Sequence, residues 1–197
     1  MDVHAVPADR QKAWYLSLMA PNIKGPTHAW LDPSRIYCNS QALVDCVQDL
    51  LDPFRTEPID LVAGIDAMGF ILGASLATTL GKGFLAIRKA GHLCVPTEQQ
   101  EYTDYTGLKK NLETRLDALK PGLRVLIVDQ WIETGGTMKA AIHLVEKLGG
   151  TVVGVAAVAI ENTEGGKWIK ERYKFSQCIP EELQNQIDQK YLDSFKI

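Results

Sequence analysis

The chain has 197 residues, 46% hydrophobic and 23% charged, with 21 basic against 24 acidic side chains and a formal charge of −3. Such proportions describe a globular domain that buries its own core. They exclude collagenous, coiled-coil and disordered classes, and no run of Lys and Arg offers a nucleic acid a phosphate-neutralising surface.

The N-terminal residues Met1–Arg10 are polar and lack the apolar stretch of a secretory signal, and the longest apolar run, Val152–Ile160, is about half a bilayer span. Cys38, Cys46, Cys94 and Cys178 form no CxxC pair. A cytoplasmic protein with reduced thiols and no membrane partner is expected. Pro21, Pro26 and Pro33 mark an ordered loop or small lobe. Asn39-Ser40 then caps a predicted helix running to Leu51, with Leu43, Val44, Val47, Leu50 and Leu51 as its apolar stripe and Pro53 as its stop.

Downstream, short apolar segments alternate with stretches of helical period. Leu61–Ile65, Phe84–Ile87, Val125–Val128 and Val152–Ile160 read as strands buried on both faces. Phe70–Leu80, ending at Gly81, reads as a helix. So does Thr137–Leu148, with Met138, Ala141, Ile142, Val145 and Leu148 on one face. Between them, 91–107 is predicted as a long loop with a polar tip that closes over a site, followed by a helix over Lys109–Leu119. The pattern predicts an α/β fold with a doubly wound, mainly parallel sheet flanked by helices. A single domain is expected, divided into an N-terminal segment of about 1–38, a core of about 39–163 and an extension of about 164–197. That extension includes Trp168, Tyr173 and a helix over Glu181–Gln189, and carries no assigned role.

The most informative stretch is Val125–Thr137: a buried strand, Asp129 at its carboxyl end, and Thr134-Gly135-Gly136-Thr137 opening a helix. The two glycines allow successive amides to converge on one anion, where the helix start adds partial positive charge. Thr134 and Thr137 add hydroxyl donors. A carboxylate at the strand end accepts hydrogen bonds from sugar hydroxyls, so the combination suits a ribose 5-phosphate. Taken singly, a TGGT turn is common, and a strand-end Asp often caps the next helix instead.

This segment resembles the phosphoribosyl pyrophosphate signature of type I phosphoribosyltransferases. Gly64–Phe70, Leu72–Ala77, Ala86–Leu93 and Pro96-Thr97 extend the resemblance, in the order and nearly the spacing of the adenine phosphoribosyltransferases, from Asp60 to about Glu161. The resemblance implies that fold, with a small N-terminal hood. It also implies displacement of pyrophosphate from C1 of the ribose by a purine ring nitrogen, with adenine giving AMP. Mg²⁺ would be held mainly by phosphoribosyl pyrophosphate oxygens and water, with Asp129 in support and no dedicated metal cage. A homodimer is implied too.

Residue by residue, the resemblance gives the 5-phosphate to Glu133, Thr134, Gly135, Gly136 and Thr137, and the ribose to Asp129 and Gln130. Gln130 stands where the family has a second acid, which implies less negative charge beside the cationic sugar and slower turnover. Pyrophosphate falls to Asp66, Ala67, Met68 and Gly69. Met68 replaces the usual arginine, and Arg88 and Lys89 are the substitute cations. Ala29, Trp30 and Leu31 would wall the base. Asp129, Glu133 and Asp104 are the candidate catalytic acids, Asp104 because an ungapped match places Tyr105 at the family's loop glutamate, with Glu101 nearby. Two other readings stay open: a catalytically weak or inactive regulatory protein that binds nucleotide or phosphoribosyl pyrophosphate, suggested by Gln130 and Met68, and a 6-oxopurine phosphoribosyltransferase, suggested by Glu133.

Overall fold

The computed structural model describes residues 5–21, 31–104 and 107–180. Its elements in chain order are β1 (Ala20–Pro21), β2 (Leu31–Asp32), α1 (Ser34–Tyr37), α2 (Ser40–Leu51), β3 (Leu61–Ile65), α3 (Met68–Leu80), β4 (Gly83–Lys89), β5 (Thr97–Thr103), β6 (Lys109–Arg115), β7 (Arg124–Ile132), α4 (Gly136–Lys147), β8 (Thr151–Ile160), α5 (Glu164–Arg172) and β9 (Phe175–Gln177). The main sheet has the order β5-β6-β4-β3-β7-β8-β9. Strands β4, β3, β7, β8 and β9 run parallel, and the hairpin β5–β6 joins antiparallel at the β4 edge.

Period-two alternation along the central strands explains the two layers. Val62, Leu126, Val128, Ala156 and Val158 face one core with α2 and α3. Ala63, Val125, Ile127, Val155 and Ala157 face the other, with α4. Helix boundaries follow local chemistry. The Asn39 side chain accepts from the Ala42 amide at 2.9 Å, a cap worth about 1 kcal/mol. Gly81, at φ 64°, takes the left-handed conformation that ends α3.

Two expectations are corrected. The segment 91–107 is not a free loop, and 109–119 is not a helix: Thr97 pairs opposite Arg115 and the register runs to Thr103 opposite Lys109. The physical reason is that this hairpin buries polar residues. Glu113 and Thr114 lie inside because their hydrogen bonds are made within the protein, Thr114 Oγ1 to the Ala86 carbonyl at 3.1 Å and Glu113 to the turn after β4. No apolar alternation marks such strands. Strand β4 is also less buried than expected, with Phe84 at 38% exposure and its ring edge-on to Phe70.

Residues 164–180 belong to the same fold, since α5 packs Ile169 into the α4 core and β9 extends the sheet beside β8. The helix expected over Glu181–Gln189 lies outside the described residues. Among the described residues no helix is long and apolar enough to cross a membrane.

Candidate active site

The site forms where neighbouring parallel strands end at different heights. Pairing between β3 and β7 stops at Gly64–Val128, while β7 continues alongside β8 through Asp129–Ala157 to Ile132–Ile160. Asp129 is therefore the first β7 residue past the last β3–β7 pair, level with the end of β3 at Ile65, at the carboxyl edge where ligands of open α/β sheets bind. Into the vacated height folds the turn Asp66-Ala67-Met68-Gly69, whose Asp66–Ala67 peptide is cis. Gly69 is buried directly over the Val128–Asp129 backbone, so the turn and the acid are immediate neighbours.

Past the end of β7 the chain bends through Glu133 and Thr134 into α4. Gly135 has φ 79°, which lets the chain turn tightly, and Lys139 N donates to its carbonyl at 2.9 Å to begin the helix. Asp129 through Gly135, with Thr137 and Met138, line a cleft of about 200 Å³. Gly136 is pressed by the Thr103 carbonyl at the end of β5, which brings the hairpin against the loop.

Electrostatics divide the cleft. Burial pushes the Asp129 carboxyl up to about 7, against the opposing effect of the Gln130 amide, which donates to Oδ1 at 2.7 Å. The Gln130 side-chain oxygen accepts from the Tyr37 hydroxyl at 2.8 Å. Burial raises that phenol well above its ordinary range. With one lone pair of its oxygen engaged, Gln130 keeps its amide NH₂ as a donor on the cleft wall. Trp131, on the cleft wall, donates its indole N–H to Glu161 Oε1 at 2.6 Å.

Beside the Asp66–Gly69 turn, Arg88 Nε lies 3.4 Å from Asp66 Oδ2, and its Nη1 donates to the His92 carbonyl at 3.2 Å. Lys89 is exposed and Met68 half-buried. Glu113 accepts from the His92 and Leu93 amides at 2.8 Å each, which fixes the turn that holds Arg88.

Asp129, Gln130, Glu133–Gly135 and Thr137 thus share one cleft, with Gly69 of the adjoining turn packed on Asp129 and Arg88 paired to Asp66 of that turn. Asp104 follows Thr103, whose carbonyl packs against Gly136, and begins the β5–β6 turn. Its Oδ1 accepts from the Leu108 amide at 3.1 Å and its carboxylate pairs with Lys110. Ala29 and Trp30 lie outside the described residues, as does Tyr105, and of Leu31 the structure gives only the backbone pairing with Pro21. The sequence reading passed over Tyr37, Trp131, Glu161, Glu113 and Thr163. The contacts of these residues with Gln130, His92, Leu93, each other and Glu133 join positions 20 to 93 residues apart, and no local pattern signals them.

Residues 41–194 match the family model for the phosphoribosyl transferase domain. The chain belongs to the phosphoribosyltransferase family. Within that family it is 42% identical over 140 residues to the adenine phosphoribosyltransferase of Dinoroseobacter shibae, covering 71% of this chain and 78% of that protein. To the adenine phosphoribosyltransferase of Neisseria meningitidis serogroup C it is 47% identical over 118 residues, covering 59% of this chain and 62%, just under two thirds, of the relative. The crystal structure of the Giardia lamblia enzyme of that name, complexed with 9-deazaadenine, superposes with a TM-score of 0.78 at 28% identity, covering 86% of this chain and 98% of that one. The sheet and helices described above are therefore the type I phosphoribosyltransferase fold, and the strand-end cleft carries this family's signature segment.

Proposed function

We propose that this phosphoribosyltransferase moves the 5-phosphoribosyl group of phosphoribosyl pyrophosphate to a ring nitrogen of adenine, releasing pyrophosphate and forming AMP. One observation carries the reading: Gly69 of the Asp66–Gly69 turn packs directly on Asp129, and Asp129 lines one cleft with Thr134, Gly135 and Thr137. That is the order of diphosphate, ribose and 5-phosphate in the substrate. The choice of adenine rests on the relatives' shared name and on the adenine analogue in the Giardia structure.

In the reaction the C1–oxygen bond to pyrophosphate breaks, the C1–nitrogen bond forms, and positive charge develops on the sugar between the two events. The loop amides hold the 5-phosphate and so fix C1 in place. Asp129 grips the ribose hydroxyls, and its charge opposes the cation's. Burial holds its carboxyl up at about 7, and the positive charge that develops on the sugar favours its ionised form. Gln130 donates to a hydroxyl where a second acid would accept. Arg88, held by Asp66 and His92, faces the leaving group in place of the arginine that Met68 replaces. In this scheme Glu133, which lines the cleft, takes the purine proton, since Asp104 Oδ1 already accepts from the Leu108 amide.

Among the described residues no three His, Cys, Asp or Glu side chains cluster to cage a metal. The hard carboxylate oxygens of Asp66 and Asp129 fit an ion that takes most of its ligands from substrate and water. Bound Mg²⁺ would supply charge neutralisation on the diphosphate.

Steady-state assays with Mg²⁺, phosphoribosyl pyrophosphate and adenine, hypoxanthine or guanine test this proposal. Repeated turnover with adenine alone is the expected result, and nucleotide formation only from the 6-oxopurines would overturn the base assignment. A second reading, a binding protein with little turnover, is favoured by Met68 and by the neutral Gln130. Tight binding without pyrophosphate release would select it.

A further inference from the structure

The phosphate loop has a back as well as a front, and its back is the first turn of α5. Thr163 caps that helix, its Oγ1 accepting from the Gly166 amide at 3.1 Å. The same hydroxyl donates to the Glu133 carbonyl at 2.6 Å. Helix capping uses only the oxygen's lone pair, so the hydroxyl proton is spent on the loop. Beside it Gly165 is packed so tightly that a Cβ there would collide with the Thr134 carbonyl oxygen, and a Cβ on Gly135 would stand 2.9 Å from the Gly165 carbonyl carbon. Two glycines in the first turns of a helix cost about 1 kcal/mol each relative to alanine. Close backbone approach is the reason Gly165 is there.

This contact decides which way the loop's amides face. A trans peptide unit is planar, with its C=O and N–H pointing in opposite directions. Drawing the Glu133 carbonyl toward α5 turns the Thr134 N–H away from it, into the cleft. Seating the Thr134 carbonyl against Gly165 does the same for the Gly135 N–H. We infer that Thr163, with Gly165, is a positioning residue for the 5-phosphate, holding two loop carbonyls from behind so that their partner amides converge on the anion in front. This rests on the reading of 134–137 as the phosphate cup. It gives Thr163 and the first turn of α5 a direct part in the site.

Calorimetric titration with ribose 5-phosphate tests the inference on the full chain, comparing wild type with Thr163→Ser, which keeps the hydroxyl, and Thr163→Val, which keeps the shape. The valine variant should bind about tenfold more weakly, as loss of one carbonyl-orienting hydrogen bond implies. The serine variant should stay within about twofold of wild type, and affinity for pyrophosphate with Mg²⁺ should be the same in all three. Gly165→Ala leaves the hydroxyl in place but crowds the Thr134 carbonyl, and should also weaken ribose 5-phosphate selectively. Wild-type affinity in the valine variant would overturn the inference, as would equal losses for serine and valine or a parallel loss of pyrophosphate binding. Failure of the wild-type chain itself to bind ribose 5-phosphate would instead overturn the phosphate cup, and the inference with it.

Discussion

Gly69 lies against Asp129 with no room for a methyl group between them: a Cβ on Gly69 would stand 3.2 Å from the Asp129 Cα and 2.7 Å from the Val128 carbonyl oxygen. Backbone, not a flexible side chain, fills the space, so nothing near can yield cheaply. Gly69→Ala should therefore lift the Asp66–Gly69 turn away from the ribose acid. A displacement of about 1 Å between groups that act on one substrate lowers kcat/KM by about 100-fold. The expected result is that loss in phosphoribosyl transfer, with a circular dichroism spectrum like the wild type's.

Asp129 gives a pH prediction whose sign is fixed by burial. Its carboxyl rises from 3.8 to about 7 on folding, so between those values the folded state binds the proton that the unfolded state releases. Stability contributed by this group is therefore greatest at low pH and falls as pH rises from about 4 to about 7. Asp129→Asn removes the desolvated charge. The variant should melt higher than wild type above pH 7, and the gap should close toward pH 4, while affinity for ribose 5-phosphate falls. Melting curves across that range check the first statement and titration the second.

The Tyr37–Gln130 hydrogen bond, 2.8 Å long, sets what Gln130 can offer a ligand. Tyr37→Phe frees the carboxamide to rotate and removes a net contribution of about 1 kcal/mol, so the KM for phosphoribosyl pyrophosphate should rise about fivefold. Gln130→Asp keeps an acceptor for the tyrosine and adds a charge facing the cationic sugar. Its kcat should exceed wild type's, and steady-state kinetics of the two variants read both effects.

Glu113 is buried, which alone would raise its carboxyl, but the amides of Leu93, Gly91 and His92 and the Thr97 hydroxyl outweigh burial and hold it below 4.5. Its stabilising contribution is present above that value and is lost as pH falls through the lowered one. Glu113→Ala leaves the His92 and Leu93 amides without their acceptor, at about 1–3 kcal/mol for each, and loosens the turn whose carbonyl holds Arg88. The KM for pyrophosphate in the reverse reaction should rise, and Glu113→Gln, which keeps the acceptor oxygen, should restore most of it.

How far such features were legible in the sequence follows from the range of the interactions that make them. Leu61–Ile65 and Val125–Val128 announce themselves because both faces are buried and every residue is apolar. The Gly135-Gly136 turn is equally plain, since its chemistry lies within a few residues. The hairpin β5–β6 is hidden because Glu113 and Thr114 are buried through hydrogen bonds rather than through hydrophobicity. Thr163 and Gly165 look like ordinary helix-start residues until α5 folds back 30 positions onto Glu133. Asp129 reads as a strand end in the sequence, yet β7 runs three residues further, to Ile132, and the raised pKa of Asp129 depends on burial under groups from elsewhere in the chain, Gly69 after β3 among them.

A crystal structure of the chain with AMP tests the central claim most directly. Phosphate oxygens within about 3 Å of the Thr134–Thr137 amides, with a ribose hydroxyl hydrogen-bonded to the Asp129 carboxylate, are the predicted result. AMP seated elsewhere, or bound in this cleft with its phosphate turned away from those amides, would contradict it.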